Sequence, residues 1–201
     1  MNKKILWVIG GVVGFALIVV LALSIANDER VDASVGFGEV TVEGTALPPF
    51  SDPSSDLAVG LTAPTVSGAD WKANDYTIGP DGRPKIIIFL AHWCPHCQAE
   101  VPVVQRWLEA GNLPDEVDMY SITTSTDRLR PNWPPQDWLE SEGWTVPVIM
   151  DDEIGSAAVG YGMTGTPFYV VLNGDNLSIQ RASGEIGTIG LHALVQAALS
   201  S

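Results

Sequence analysis

The sequence predicts an α/β fold, in which a central mixed β-sheet is covered by helices on both faces. Residues 85–90 form a continuous apolar run, which is typical of a strand buried at the centre of a sheet. A helix-like stretch, residues 95–110, follows closely, and a second strand is predicted at residues 117–123. A hairpin and a last helix are predicted near the C-terminus. This succession of strands and helices indicates a mixed sheet between helical layers.

The predicted helix at residues 95–110 has clear boundary signals. Pro95 suits the first turn, because the N–H that proline lacks would be unpaired there. Gly111 is expected to end the helix. Pro102 is expected to kink it, since an internal proline removes one backbone hydrogen bond.

The other elements are shorter. Residues 60–84 are predicted to be irregular, with a turn at residues 79–82. The acidic residues 151–153 are expected to cap the helix that follows them. The remaining predictions are a short helix around 137–140, a strand at 146–150, a short helix at 154–160, hairpin strands at 168–172 and 177–182, and a helix at 191–199.

Length and charge limit the classes of protein. The chain has 201 residues, enough for one domain of ordinary size plus an anchor or tail. Such a domain can bury a hydrophobic core without disulfide staples. The formal net charge of -14 argues against nucleic acid as a partner, because the phosphates would be repelled.

The N-terminal residues predict a membrane anchor. Residues 5–25 are an uncharged apolar run, long enough to cross the lipid bilayer as a helix by the rule of about 20 residues. Lys3 and Lys4 precede it, so the positive-inside rule puts the N-terminus in the cytoplasm and the rest of the chain outside. The competing interpretation is a cleaved signal peptide, for which Ser24 and Ala26 offer small residues at a cleavage site.

Three segments are therefore expected: a transmembrane anchor at 1–26, a flexible linker at 27–58 and a folded domain at 59–201. Residues 27–58 are rich in Gly, Pro, Ser and acidic residues and show little periodicity. The expected location is the cell membrane, single-pass, with the domain extracytoplasmic. Export matters because disulfides persist outside the cytosol.

The only two cysteines, Cys94 and Cys97, stand between the buried strand and the helix. A helix N-terminus presents unpaired N–H groups and its positive dipole end to the first sulfur, which favours the thiolate. Because the thiolate attacks disulfides, Cys94 is the candidate nucleophile and Cys97 the resolving thiol. A purely structural disulfide is a weaker interpretation, since a two-residue separation constrains very little of the chain.

The residues around the cysteines are expected to tune them. Pro95 and His96 lie between the cysteines, and His96 would stabilise the Cys94 thiolate, which makes the disulfide more oxidising. His92 could also contribute positive electrostatic potential at the Cys94 thiolate. Trp93 is expected to form an apolar wall against which substrate polypeptide rests.

Three motifs in this order resemble the thioredoxin superfamily: Cys94-Pro95-His96-Cys97, then Gln98-Ala99-Glu100-Val101-Pro102, then Gly165-Thr166-Pro167-Phe168. The second motif is similar to that of the membrane-anchored, extracytoplasmic TlpA/ResA-like branch. The third looks like the superfamily's cis-proline loop. The resemblance extends from about residue 59 to the C-terminus and implies a thioredoxin-like fold.

The resemblance also implies roles for individual residues. Glu100 would move protons to or from Cys97, and Ile88 stands where thioredoxin itself carries a buried aspartate. A cis peptide bond at Thr166-Pro167 would leave the Thr166 backbone free to pair with extended substrate. The implied activity is disulfide exchange with exported proteins, first of all as a TlpA/ResA-like reductase, for which the resemblance implies apocytochrome c among the substrates, with a membrane redox partner and no bound cofactor.

Two alternatives stay open. The Pro95-His96 dipeptide is the one found in DsbA-like oxidases, which introduce disulfides. A copper- or metal-handling protein could use the cysteine pair as ligands, and His192 is then the only distant histidine. No metal ligand is otherwise assigned. A peroxidase of the peroxiredoxin kind would need a Pro-x-x-x-Thr-x-x-Cys pattern, which this chain lacks.

Overall fold

The structure, a computed structural model, describes residues 36–201. A five-stranded mixed sheet forms around the strand Lys85–Leu90 (β4), in which every residue is buried. Asp118–Thr123 (β5) pairs with β4 in parallel, and Phe168–Leu172 (β7) pairs with its other side antiparallel. Val148–Met150 (β6) and Ser178–Ser183 (β8) complete the order β6-β5-β4-β7-β8. The predicted thioredoxin-like mixed sheet is confirmed.

Helices cover both faces of this sheet, as the sequence predicts. The helices are Pro95–Glu109 (α1), Pro135–Ser141 (α2), Ser156–Gly160 (α3) and Gly187–Leu199 (α4). Side chains alternate along β4, so Ile88 packs in a core cluster with residues of α1 and α4. Phe89 packs in a second cluster with residues of α3.

The expected helix boundary signals are present. Pro95 is the first residue of α1, Pro102 lies inside the helix, and Gly111 beyond its end has a φ of 72°. The carboxylate of Asp151 accepts a hydrogen bond from the Ala157 backbone N–H at 2.9 Å, so the predicted acidic cap of α3 is confirmed.

Residues 60–84 are not irregular, and that prediction is wrong. They contain Thr65–Ala69 (β2) and Asp75–Ile78 (β3), which form a second, antiparallel sheet with Val40–Glu43 (β1) in the order β1-β2-β3. The strands are four or five residues long. β2 pairs with β3 as a local hairpin and with β1 from the preceding segment, and strands this short leave only a weak signal in the local pattern.

The predicted linker is also wrong over its described part, which we call the N-terminal arm (residues 36–58). Leu47 and Phe50 are buried, and Phe50 meets Phe168 edge to face at 5.5 Å between ring centroids. A short 3-10 turn, Pro53–Ser55, follows. Asp56 then accepts a hydrogen bond from Nε of the buried Arg181 at 2.9 Å. The arm is therefore part of the folded unit, because its few apolar residues fill the core despite a composition typical of linkers.

The predicted anchor at residues 1–26 lies outside the described residues. Among residues 36–201, none of the helices combines the length and the apolar character that crossing a bilayer requires.

Candidate active site

The dithiol lies where β4 passes into α1. Cys94 occupies the N-cap of α1 in an extended conformation, and its N–H donates to the Ala91 carbonyl at 3.0 Å. Cys94 is 7% exposed, whereas Cys97, one turn into the helix, is fully buried. Both thiols are free. The geometry gives an incoming disulfide access to the first sulfur only.

The two thiols differ in acidity. Burial by itself raises the pKa of Cys94, but the stabilising effect of the Thr166 side chain and of the backbone N–H groups of Cys97 and His96 on the thiolate outweighs it. The pKa of Cys94 is therefore below its usual value. Burial raises the pKa of Cys97 to about 12. The more accessible thiol is thus the more acidic of the two, and the buried thiol keeps its proton at neutral pH.

The predicted cis-proline loop lies against the dithiol. The Thr166–Pro167 peptide bond is cis. The Cys94 thiol donates to the Thr166 carbonyl oxygen, with 3.3 Å between sulfur and oxygen. Three motifs that are far apart in the sequence therefore meet around one sulfur atom.

Glu100 is buried at 2% exposure, but its hydrogen bonds do not go to Cys97. Its Oε1 accepts from the Tyr169 hydroxyl at 2.9 Å and from the backbone N–H groups of Ile186 and Gly187 at 3.0 Å each. The Cys97 sulfur instead accepts from the Ala91 N–H at 3.5 Å. Glu100 therefore ties α1 to the start of α4.

Tyr169 is a site residue that the sequence analysis missed. Burial, the Glu100 carboxylate and the neighbouring Cys97 sulfur all raise its pKa well above the usual value. The hydroxyl therefore stays protonated and donates to Glu100. Tyr169 lies two residues after Pro167, within an apolar run, and that proximity was the only signal in the sequence.

His96 is exposed, and its imidazole contacts a carboxylate. Its Nδ1 lies 2.6 Å from Oε1 of Glu185, in the segment between β8 and α4. The carboxylate offsets the positive charge that a protonated His96 would present to Cys94. The sequence could not reveal Glu185 as a partner, because the two residues are 89 positions apart.

His92 does not add to the field at Cys94, contrary to expectation. It is buried, with Nδ1 2.7 Å from the Pro131 carbonyl oxygen and Nε2 accepting from the Asp127 N–H at 3.2 Å. This pattern requires a neutral ring that carries its proton on Nδ1. Burial lowers the pKa of His92, which agrees with that form.

Trp93 is half-buried beside Cys94. Its Nε1 donates to the Ser125 carbonyl oxygen at 2.7 Å, and the Arg130 guanidinium lies 4.9 Å from the ring centroid. The expected apolar wall is therefore a tryptophan stacked with an arginine.

The cysteines do not gather further metal ligands within residues 36–201, where no group of three His, Cys, Asp or Glu side chains could hold an ion. His192 lies in α4, and its Nδ1 is 2.7 Å from the Thr188 carbonyl oxygen.

A thioredoxin-like fold that holds one acidic and one buried thiol at a helix N-terminus, facing a cis-proline, defines the class of thiol–disulfide oxidoreductases. This chain belongs to that class. It is a member of the AhpC/TSA family, whose model matches residues 54–183. No curated protein matches the chain.

Solved structures share this fold. A thiol:disulfide interchange protein of the thioredoxin family from Chlorobium tepidum TLS is 25% identical, with a TM-score of 0.56 over 72% of this chain and 99% of that chain. A DsbF homologue from Corynebacterium diphtheriae is 19% identical, with a TM-score of 0.60 over 77% of this chain and 99% of that one. StoA from Bacillus subtilis is 20% identical, with a TM-score of 0.51 over 61% and 90%.

Proposed function

We propose that this protein is a membrane-anchored, extracytoplasmic reductase of the TlpA/ResA-like kind, which reduces disulfides in exported proteins. One observation carries the proposal: Cys94 lies at the N-cap of α1 beside the cis Thr166–Pro167 bond, whereas Cys97 is fully buried one turn into the helix. This asymmetry suits a nucleophile followed by a resolving thiol.

The proposed reaction has two exchange steps. The Cys94 thiolate attacks one sulfur of the substrate disulfide, and the other substrate sulfur leaves as a thiolate that takes up a proton. Cys97 then loses its proton and attacks the Cys94 sulfur, which releases the second substrate thiol. The substrate gains two electrons and two protons, and the protein ends with a Cys94–Cys97 disulfide. A membrane redox partner would return the electrons.

Other residues support the two steps. Thr166 lies within hydrogen-bonding distance of Cys94, where an extended substrate could pair with its backbone. Glu100 is proposed to handle the Cys97 proton, and Tyr169, which contacts Glu100 and neighbours Cys97, supports this role. Trp93 is proposed to contact the substrate. Pro95 and His96 are proposed to set the redox potential.

The proposed direction of electron flow depends on the charge of His96 beside Cys94. A protonated His96 would make the disulfide strongly oxidising, as in the DsbA-like alternative. Here a protonated His96 would be paired with the Glu185 carboxylate at 2.6 Å, which would weaken its effect on the Cys94 thiolate; this is the support for the reductase. The metal-handling alternative has less support, because the described residues offer the two sulfurs no third ligand.

The location and partners follow from the sequence. Residues 5–25 are proposed to cross the lipid bilayer with the N-terminus in the cytoplasm, which places the dithiol outside. The substrates are then exported protein disulfides.

The deciding experiment is the equilibrium reduction potential of Cys94–Cys97 in the full-length chain, measured against glutathione buffers. A reductase predicts a value near that of thioredoxin, about -270 mV, and an oxidase one near about -120 mV. Absence of a reversible disulfide would overturn both, and titration of the reduced protein with Cu(I) would then test metal handling.

A further inference from the structure

A loop beside the dithiol carries two arginines. We call residues 125–133, which follow β5, the arginine loop. Arg128, Leu129 and Arg130 are all exposed, and Leu129 is 95% exposed. An apolar side chain so far out of the core, between two cations, has no role in packing the domain.

The arginine loop is attached to the residues that precede Cys94. Trp93 donates to the Ser125 carbonyl oxygen at 2.7 Å, and His92 contacts the Pro131 carbonyl oxygen at 2.7 Å. His92 also accepts from the Asp127 N–H at 3.2 Å. These contacts place the loop at the rim of the site and hold its backbone.

Both ends of the arginine loop adopt left-handed backbone conformations, which the surrounding hydrogen bonds must stabilise. Ser125 has a φ of 52° and Asn132 a φ of 61°, in the left-handed region that costs a side-chain-bearing residue about 1–3 kcal/mol. The Asn132 amide donates to the His92 carbonyl oxygen at 3.2 Å. A loop fixed in this way loses little conformational entropy when it binds a partner.

The charge of the loop differs from that of the chain. The protein has a net charge of -14, and residues 36–201 contain only seven Lys and Arg. Two of these seven, Arg128 and Arg130, lie two positions apart in the arginine loop. Arg130 contacts Asp127 at 3.3 Å, and within residues 36–201 no carboxylate forms an ion pair with Arg128. The guanidinium of Arg128 lies 5.5 Å from the Trp133 ring centroid. The loop therefore presents a net positive surface.

We propose that the arginine loop selects substrate polypeptides that carry Asp or Glu beside the reacting cysteine, with Leu129 contacting an apolar side chain of the same segment. The proposal rests on the proposed function. Its basis is charge complementarity at a rigid rim, which sets specificity and the rate of encounter more than affinity. At physiological salt the Debye length is about 8 Å, so the more distant acidic surface of the protein is screened. The two arginines of the loop therefore dominate the electrostatic interaction with a polypeptide bound beside them.

The test compares two peptides of equal length, each with one cysteine activated as a 4-pyridyl mixed disulfide. One peptide carries three Asp beside the cysteine and the other three Lys. The reduced full-length chain in a nonionic detergent attacks each peptide at 0.15 M salt, and release of 4-thiopyridone gives the second-order rate constant. The wild type should react faster with the acidic peptide.

Matched variants locate the effect. R128Q and R130Q should each lower the acidic-to-basic rate ratio about threefold, and the double variant about tenfold. R106Q removes an equal charge from the far end of α1 and should keep the wild-type ratio. The double variant R128K/R130K keeps the charge and should retain most of the selectivity.

Three results would overturn the proposal: a wild type that prefers the basic peptide, an unchanged ratio in R128Q/R130Q, or an equal loss in R106Q. Binding of the wild type, but not of R128Q/R130Q, to phosphatidylglycerol vesicles without any peptide selectivity would assign the loop to a lipid surface instead. Failure to react with either peptide contradicts the proposed function itself and is distinguishable from all of these.

Discussion

At the scale of single residues, the site separates the properties of two chemically identical side chains. Cys94 is the N-cap of α1, where the first N–H groups of the helix stabilise its thiolate, whereas Cys97 is turned into the core. The same helix therefore lowers the pKa of one thiol, and burial raises that of the other. The Thr166 side chain, in a segment 72 residues away, also lowers the pKa of Cys94 and so adds to this asymmetry.

This asymmetry predicts how each thiol reacts with iodoacetamide. In Cys97→Ser, alkylation of Cys94 should rise with pH around a midpoint below that of an ordinary cysteine, because its thiolate is stabilised. In Cys94→Ser, Cys97 should stay unreactive until the pH approaches about 12. Rates measured against pH by mass spectrometry give both midpoints. A lower midpoint for Cys97 than for Cys94 would contradict the assignment of nucleophile and resolving thiol.

Glu100 shows how one residue can join two elements. Sequence spacing correctly put its side chain one turn beyond Cys97, but spacing within a helix says nothing about which other segment meets it. The observed partners, Tyr169, Ile186 and Gly187, come from β7 and the start of α4. A carboxylate with three donors on one oxygen also satisfies N–H groups that a helix start would otherwise leave unpaired.

At the scale of elements, the arginine loop depends on a buried neutral histidine. Protonation of His92 would remove the acceptor for the Asp127 N–H and place a charge in the interior. The loop therefore depends on pH through a residue that is remote from its exposed tip.

The lowered pKa of His92 predicts a specific pH dependence of stability. Because the unfolded chain binds the proton more readily, this contribution is complete above the unfolded value of 6.5. It is lost as the pH falls from there toward the folded-state pKa. Denaturant unfolding of the wild type should show this decline, and His92→Gln should remove it. An NMR titration in which the His92 ring protonates above pH 6.5 would contradict the assignment.

At the scale of the whole molecule, the N-terminal arm is held by a buried ion pair. The side chain of Arg181 is fully buried and that of Asp56 is 3% exposed. Arg181 also donates to the carbonyl oxygens of Pro48 and Tyr161 at 2.9 Å each. One guanidinium therefore joins the arm, α3's end and β8.

Breaking this pair should be costly. Asp56→Ala leaves a buried, unpaired guanidinium and should lower the free energy of unfolding by about 3–5 kcal/mol. Asp52→Ala, at an exposed carboxylate in the same arm, should have a much smaller effect. Denaturant midpoints at unchanged m-values measure both. Equal losses in the two variants would show that the arm is not held through Arg181.

The sequence predicted the parts of the fold that are local. The buried run of β4, the helix start at Pro95 and the acidic cap of α3 each follow from neighbouring residues, whereas the cis-proline loop follows from the resemblance to the thioredoxin superfamily. The second sheet was missed because its strands are only four or five residues long, and the arm because its contacts join segments far apart in the chain. Glu185 as a partner of His96, and Tyr169 as a partner of Glu100, were missed for the same reason.

The folded arm changes how far the dithiol can travel. If residues 5–25 cross the bilayer, the predicted tether of residues 27–58 is shortened, because residues 36–58 belong to the folded unit. At about 3.5 Å per extended residue, folding of this part removes up to roughly 80 Å of the reach of the tether. A shorter tether raises the effective concentration of the dithiol near membrane-bound partners and lowers it at greater distances from the membrane.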